Sequence, residues 1–235
     1  MARAAKGKRI AGNAIKLSPA PKPPRTIGAT RRQRSRPRQL QSAQRREAIL
    51  EAALEEFSMR GFAAARLDDV ARRAGVAKGT IYLHFRDKEM LFQELVRSEL
   101  SPVVSTLELA QVSDLPLHAA ADGLVKLFAR EIFATRRKDV IRLIIAEGPR
   151  FPAIADFYYH EVVERVMTVV RGLAQRAVDR GELPNDSLVR FPQLLGAPGI
   201  VAIVWSGLFE RWAPLDVEAF LRAYLDLIFA RGRAA

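Results

Sequence analysis

Residues 67–88 read LDDVARRAGVAKGTIYLHFRDK, and this stretch decides the fold. Val70, Ala71 and Ala74 form a short apolar stripe at helical spacing. Gly75 follows at once, where a helix ends on a residue tolerant of positive φ. Val76 can plug the junction. Lys78 then begins a second short helix, with Ile81 and Phe85 facing inward at i and i+4. A small residue at Ala71, four before Gly75, lets the two helices cross closely. This is the layout of a helix-turn-helix, whose second helix enters the major groove of DNA.

The outward face of the second helix supports that layout. With Ile81 and Phe85 buried, Lys78, Gly79, Thr80, Tyr82, Leu83 and His84 are left facing out. Lys78 can donate to guanine O6 and N7. Thr80 and Tyr82 bring hydroxyls suited to phosphates or base edges, and Gly79 lets the backbone approach closely. Lys88, at the start of the next helix, can pair with a phosphate. The competing reading is an ordinary helical hairpin with a polar outer face.

Charge is unevenly spread along the 235 residues. The net charge is +12, yet residues 1–46 hold 14 Lys and Arg and no acid. The remainder carries 24 basic and 26 acidic residues and is close to neutral. Such asymmetry points to a polyanion, with nucleic acid ahead of an anionic membrane. Residues 1–41 contain Pro19, Pro21, Pro23, Pro24 and Pro37 among isolated apolar residues, and are expected to form a disordered basic tail. The segment is Arg-rich and acid-poor like a mitochondrial transit peptide, but its prolines disfavour the amphipathic helix such a peptide needs.

Beyond Gln41 the pattern is helical throughout. Ile49, Leu50, Ala53, Leu54 and Phe57 recur at helical spacing up to Gly61. Asp87 can cap a helix with Met90, Leu91 and Leu95 on its inner face. Further helices are predicted over 117–134, 136–147, 152–180, 187–210 and 215–231, and no useful strand alternation exists. The prediction is an all-α fold of about nine helices. Residues 191–209 carry no charge, but Pro192, Gln193, Gly196, Pro198, Gly199 and Ser206 interrupt them. A helix buried partly in its own core and partly against a second subunit fits this better than a membrane span.

Several chemistries are excluded or unsupported. The chain has no cysteine, so disulfides, thiolate metal sites and cysteine nucleophiles are ruled out. Three histidines, His84, His118 and His160, leave little scope for metal sites, and neither a metal nor a cofactor is expected. His160-Glu161-Val162-Val163-Glu164 approaches the zinc motif H-E-x-x-H but ends in Glu, which suits a surface helix face. Neither a phosphate-binding glycine loop nor a G-x-S-x-G elbow is present.

AGVAKGTIYLHFRDKEMLF resembles the N-terminal domain of TetR-family transcriptional regulators, with their pattern G-V-x-x-G-T-x-Y-x-x-F-x-x-K-x-x-L. Here the pattern falls on Gly75, Val76, Gly79, Thr80, Tyr82, Phe85, Lys88 and Leu91. The resemblance extends back through Arg45-Arg46-Glu47-Ala48-Ile49-Leu50 and Phe57…Gly61-Phe62, covering about 42–100. The stretch 141–159, IRLIIAEGPRFPAIADFYY, is similar to the C-terminal domains of an AefR-like branch. Two positions depart from the pattern. Ala65-Arg66 and Ala77 stand where the family often places Ser or Thr, and each lost capping oxygen costs about 1 kcal/mol. Arg66 can supply a charged contact instead, while Asp68 and Asp69 favour the helix start electrostatically.

The resemblance implies three parts: a tail over 1–41, a DNA-binding domain over 42–88, and a helical ligand-binding and dimerisation domain over 89–235. It implies a cytoplasmic, non-enzymatic regulator without a membrane segment. The expected action is repression at a palindromic operator, bound as a homodimer and released by a small apolar or aromatic ligand. DNA contacts are expected from Arg66, Lys78, Gly79, Thr80, Tyr82, His84 and Lys88. Phe128, Phe133, Phe151, Tyr158 and Trp205 are expected to wall a ligand cavity, although aromatics at such spacing also suit plain core packing. Leu221, Tyr224, Leu225 and Ile228 are expected at the dimer interface. A ligand-independent architectural DNA-binding protein and a small all-α enzyme are the alternatives. A cavity distinguishes the first, and the poverty of catalytic groups argues against the second.

Overall fold

The first helix places Ile49, Leu50, Ala53 and Phe57 on one buried face, as their spacing predicts. This helix, α1, runs Thr30–Ala64 with a kink at Gly61 (φ 74°, ψ 161°), where the long helical part ends, and is followed by α2 (Leu67–Arg73), α3 (Lys78–His84) and α4 (Lys88–Ala110). The computed structural model describes residues 30–110 and 115–230, with side chains for 41–109 and 115–229. Most of the expected disordered tail, residues 1–29, lies outside the described residues. Residues 30–41 differ from expectation, since α1 already includes them. They hold one proline and are rich in Arg and Gln, which are good helix formers, whereas the other prolines cluster at 19–24.

The rest is also helical. α5 (Leu117–Leu127) continues into a π-helical turn over Phe128–Phe133, and α6 spans Arg137–Glu147. α7 (Pro152–Tyr158) continues through a second π turn, Tyr159–Val163, into α8 (Glu164–Asp179). Then come α9 (Ser187–Arg190), α10 (Gln193–Phe209) and α11 (Val217–Ala230). Among the described residues there is no strand, and the fold is all-α. The single helix predicted over 187–210 is broken at Phe191 and Pro192. The proline lacks an N–H and pushes the residue before it out of helical geometry, and Phe191 sits at φ −127°, ψ 68°. No helix among the described residues is long and apolar enough to cross a membrane.

One core joins the N-terminal helices to the body. Phe57, Val70, Ala71, Ile81, Phe85, Leu91, Phe92 and Leu95 are continuous in it with Val140, Ile144, Ile154 and Ile203. Each large apolar side chain fully buried there is worth about 1.5–3 kcal/mol. The boundary expected at 88/89 falls at the start of α4, which serves both parts. Leu91, Phe92 and Leu95 fill the head, while Val103 and Leu107 reach the body's cavity. Met90, expected on the inner face, is exposed instead.

The interface residues expected on α11 also need correction. Leu221 and Leu225 are only 5% and 6% exposed and pack on Ala121 and Val125 of the same chain. Ile228 packs on the cluster around Leu117 and Val169, and the Tyr224 hydroxyl donates to the Leu194 carbonyl at 2.7 Å. Periodicity finds an apolar stripe but not what covers it, and here α5 does. Exposed apolar residues in this region include Ile200, Val201, Leu208 and Phe209 of α10, with Leu227 of α11 at 71% exposure.

The end of α1 is tightly fixed. Gly61 has φ +74°, and a Cβ there would lie 2.7 Å from Glu147 Oε1. Gly75 has φ +66° with open space around it. Gly75→Ala should therefore cost the left-handed backbone penalty alone, about 1–2 kcal/mol. Gly61→Ala should cost at least about 1 kcal/mol more, because it also displaces a buried carboxylate. Urea unfolding of both variants checks the order; equal losses would mean that Glu147 moves aside freely.

Candidate nucleic-acid interface and apolar cavity

The turn between α2 and α3 is built by short-range forces. Leu67, Val70 and Ala71 bury one side of α2, and the Val76 N–H donates to the Ala71 carbonyl at 3.0 Å as the chain turns at Gly75. Ile81 and Phe85 anchor α3 from beneath. Neither Arg66 nor Ala77 makes a side-chain cap, so the departures noted in the sequence are real losses of hydrogen bonds. Asp87 does cap α4. Its Oδ1 accepts the Met90 N–H at 2.8 Å, and that bond holds the Asp87 carboxyl below its ordinary range.

An ion cluster around one buried carboxylate ties α2 to α1. Glu56 is almost fully buried, and its Oε2 accepts from Nε and Nη2 of Arg73 at 3.2 and 3.1 Å. Arg60 Nε lies 2.8 Å from its other oxygen. Both arginines reach out to solvent, so their part is to compensate the Glu56 carboxylate, which is costly to leave buried without a cation. Sequence periodicity places Glu56 on α1 but carries no sign of this long-range pairing.

The expected DNA-facing residues mostly gather on one surface. Arg66, Lys78, Gly79, Tyr82 and His84 are exposed, and Thr80 is half-buried beside them. Asp68 sits among them: its Oδ2 is 2.7 Å from Lys78 Nζ, and its Oδ1 accepts the Tyr82 hydroxyl at 3.2 Å. The Lys78 ammonium holds the Asp68 carboxyl below its usual range, and Asp68 raises Lys78 in return. Leu83 is 86% exposed on α3, an apolar group suited to a thymine methyl.

Lys88 does not join this surface. Its Nζ donates to the carbonyls of Phe62 and Ala63, each at 2.8 Å, and lies 4.7 Å from the centre of the Phe62 ring. Carbonyls at a helix end lack intrahelical partners and attract cations. Lys88 therefore caps the end of α1, which the local pattern around residue 88 does not reveal.

A cavity of about 150 Å³ lies in the body between α4, α5, α8, α10 and α11. Ala121, Val125, Phe128, Val170, Leu195, Gly196, Gly199 and Leu225 are among its walls. Of the five aromatics expected there, Phe128 alone lines it. Phe133 packs with Val217 and Leu221 and carries Lys138 over its ring, and Phe151 packs 4.9 Å from Phe62. Tyr158 belongs to the core near the head, and burial pushes its phenol up to about 12. Trp205 is partly exposed and donates from Nε1 to the Ala213 carbonyl at 2.8 Å. The aromatics join helices, whereas the void opens where α5 and α10 present Ala and Gly. A Cβ at Gly199 would already lie 3.0 Å from the Phe128 ring.

His160 stays on an exposed helix face, with Asp156 at 3.6 Å and Glu164 at 3.2 Å on adjacent turns. Among the described residues no cluster of His, Asp and Glu has the makings of a metal site.

Fold and surface define a helix-turn-helix head on a helical body with an internal apolar cavity. Residues 49–95 match the family described as "Bacterial regulatory proteins, tetR family". Residues 116–190 match "AefR-like transcriptional repressor, C-terminal domain". The chain is 40% identical over 196 residues to the uncharacterized HTH-type transcriptional regulator YhgD of Bacillus subtilis (strain 168), covering 83% of this chain and 99% of that protein. Its 29% identity to the HTH-type transcriptional regulator SrpR of Pseudomonas putida spans 59% of this chain and 63% of that protein. In fold it is similar to SmeT, the repressor of the Stenotrophomonas maltophilia multidrug efflux pump SmeDEF. The SmeT–triclosan complex superposes with a TM-score of 0.68 at 19% identity, covering 80% of this chain and 90% of that one. The chain belongs to the TetR family: it is a DNA-binding transcriptional regulator, not an enzyme.

Lys88→Ala separates capping from DNA contact. It removes two charge-assisted bonds to backbone carbonyls, so stability should fall by about 1.5–3 kcal/mol. The salt dependence of DNA binding should stay unchanged. A flatter salt dependence with intact stability would return Lys88 to the DNA surface.

Proposed function

We propose that the protein is a homodimeric repressor that binds a palindromic operator and is released by a small, uncharged apolar or aromatic ligand, acting in the cytoplasm. Arg66, Lys78, Gly79, Thr80, Tyr82 and His84 make the DNA contacts, and Lys88 holds the head that presents them. The AefR-like repressor match over 116–190 supports repression as the sign of regulation.

The observation that carries this reading is the position of α10. Gly196 and Gly199 face the cavity, Ala202 and Ile203 are buried in the chain's own core, and Ile200, Val201, Leu208 and Phe209 stand exposed. Such a contiguous apolar surface calls for a partner, and a second copy of the chain presents the same surface about a two-fold axis. One helix thus bears both on the cavity and on the dimer. A ligand that fits the cavity better in one arrangement of α10 shifts the population of dimers. Only dimers with heads about 34–36 Å apart span successive major grooves.

The cavity supports an apolar ligand of modest size. Its walls are aliphatic or aromatic, and the Tyr224 hydroxyl is already committed to the Leu194 carbonyl. A void near 150 Å³ with apolar walls is of the size that admits a benzene-like molecule. SmeT, similar in fold, forms a complex with triclosan. The cavity also favours this reading over a ligand-independent architectural role.

Two experiments test it. Val201→Glu with Leu208→Glu should give a folded monomer by light scattering, with operator affinity falling at least about a hundredfold. Leu221→Glu with Leu225→Glu should fail to fold, because it buries charge in the chain's own core. A stable wild-type monomer at micromolar concentration would overturn the dimer. Gly196→Leu has room at Cβ, with Met167 4.0 Å away, and should fill the cavity. It should abolish the thermal shift given by small aromatic ligands while keeping DNA binding; an unchanged shift would place the ligand elsewhere.

A further inference from the structure

Among the described residues, Asp68 is an acidic side chain with hydrogen bonds to two residues of α3, Lys78 and Tyr82. Its carboxylate takes the Lys78 ammonium at 2.7 Å on one oxygen and the Tyr82 hydroxyl at 3.2 Å on the other. Lys78 Nζ also lies 5.9 Å from the centre of the Tyr82 ring, which closes the triangle. The site is open to water, with the Lys78 side chain 68% exposed and that of Asp68 42%.

Holding the head together does not require this carboxylate. The α2–α3 junction rests on Ala71, Ile81 and Phe85, and an exposed ion pair adds little to stability. The next residue, Asp69, has the structural task, pairing with Arg60 at 3.2 Å and with Arg72. A carboxylate on a surface that meets a polyanion is held there against repulsion, and beyond its favourable place in the first turn of α2 both its hydrogen bonds are made to Lys78 and Tyr82.

We propose that Asp68 is a selectivity residue: an internal anion that occupies Lys78 and Tyr82 and gives them up only to the acceptors that the operator offers. The proposal rests on the DNA-reading assignment of the α3 face. A lysine already neutralised by a neighbouring carboxylate gains little from one more phosphate, and pairing it releases no counterion. A guanine edge that takes Lys78 through both O6 and N7 offers acceptors that a random backbone contact does not. Asp68 therefore lowers sequence-blind affinity more than operator affinity.

The test needs no knowledge of the operator. Wild type, Asp68→Asn, Asp68→Ser, Asp68→Glu and Asp68→Asn with Lys78→Ala are titrated onto a mixed-sequence duplex over a range of KCl. Both neutral variants should bind about two- to fivefold more tightly, the range that an exposed ion pair allows. Their log–log salt dependence should steepen by about 0.9, the share of one further phosphate neutralised. Asp68→Glu should keep the wild-type slope, and the double variant should return to it. Asp156→Asn, which changes the net charge equally on the body, should leave the slope alone. Selection from a random duplex library should yield a less sharply defined site for Asp68→Asn than for wild type.

Unchanged slope and affinity in both neutral variants would overturn the proposal. Weaker binding would do so too, by making Asp68 a positioner of Lys78 rather than its competitor. A wild-type protein that fails to bind duplex DNA would remove the assignment of the α3 face, and this proposal with it. Wild-type binding with an unaltered slope in the variants removes the proposal alone.

Discussion

Phe62 is the point on which the two parts of the molecule depend. Gly61, at φ +74°, turns the chain out of the long helix so that the Phe62 ring enters the core. There it lies 5.3 Å from Phe57, 5.6 Å from Phe92 and 4.9 Å from Phe151. Its N–H donates to Glu147 Oε1 at 3.2 Å, and its carbonyl accepts from Lys88. One residue therefore gathers α1, α4, α6 and the start of α7. Glu147 is buried, and its other oxygen has only Arg150 at 3.8 Å, so its bond to Phe62 is costly to lose. Movement of α6 by about an ångström would stretch that bond beyond hydrogen-bonding range, which ties the head to the position of α6.

The same helix grips α10 from its other side. Arg142 donates to the Ile203 carbonyl at 3.2 Å and the Ser206 hydroxyl at 2.7 Å, and pairs with Asp139 on its own helix. A Cβ at Gly207 would lie 3.0 Å from Arg142 Nε, so any larger residue there would push the guanidinium aside by a few tenths of an ångström. α6 thus connects the apolar helix next to the cavity with the end of α1. Arg136 adds a third link, bridging Glu51 of α1 and Glu99 of α4. A displacement at the cavity has a contiguous, hydrogen-bonded route to the head that does not pass through loops.

What the sequence made legible was local. Gly75, Ile81, Phe85 and the Asp87 cap lie within one or two turns of the features they explain, so spacing and side-chain chemistry suffice to place them. Helix ends at Gly61, Glu147 and Pro152 were visible for the same reason. The features that escaped are long-range. Lys88 reads as a phosphate contact until the end of α1 is seen beside it, and nothing near Glu147 in sequence marks it as the buried partner of the Phe62 N–H. Leu221 and Leu225 read as an interface because an apolar stripe does not name its partner. Large aromatics suggest a cavity wall, but large rings fill space, and the cavity opens beside Ala121, Gly196 and Gly199. Asp68 reads as a helix-start charge, since sequence spacing does not reveal that α3 brings Lys78 and Tyr82 to it.

The charge map divides the work of DNA binding. On the head, Arg60 and Arg72 are paired with Asp69, Arg73 with Glu55 and Glu56, Lys78 with Asp68, and Arg86 with Asp87, while Lys88 is spent on carbonyls. A duplex approaching this surface meets cations that are largely compensated, and sequence-blind attraction scales with the phosphates neutralised. In the sequence, the excess of positive charge falls in residues 1–46, which hold 14 cations and no acid. On the proposed reading of the α3 face, a head whose cations are held internally adds little nonspecific adhesion of its own. On the same reading, long-range attraction falls to the N-terminal cations. The separation lets affinity and discrimination be set independently, because changing the number of N-terminal cations leaves the geometry of α3 untouched.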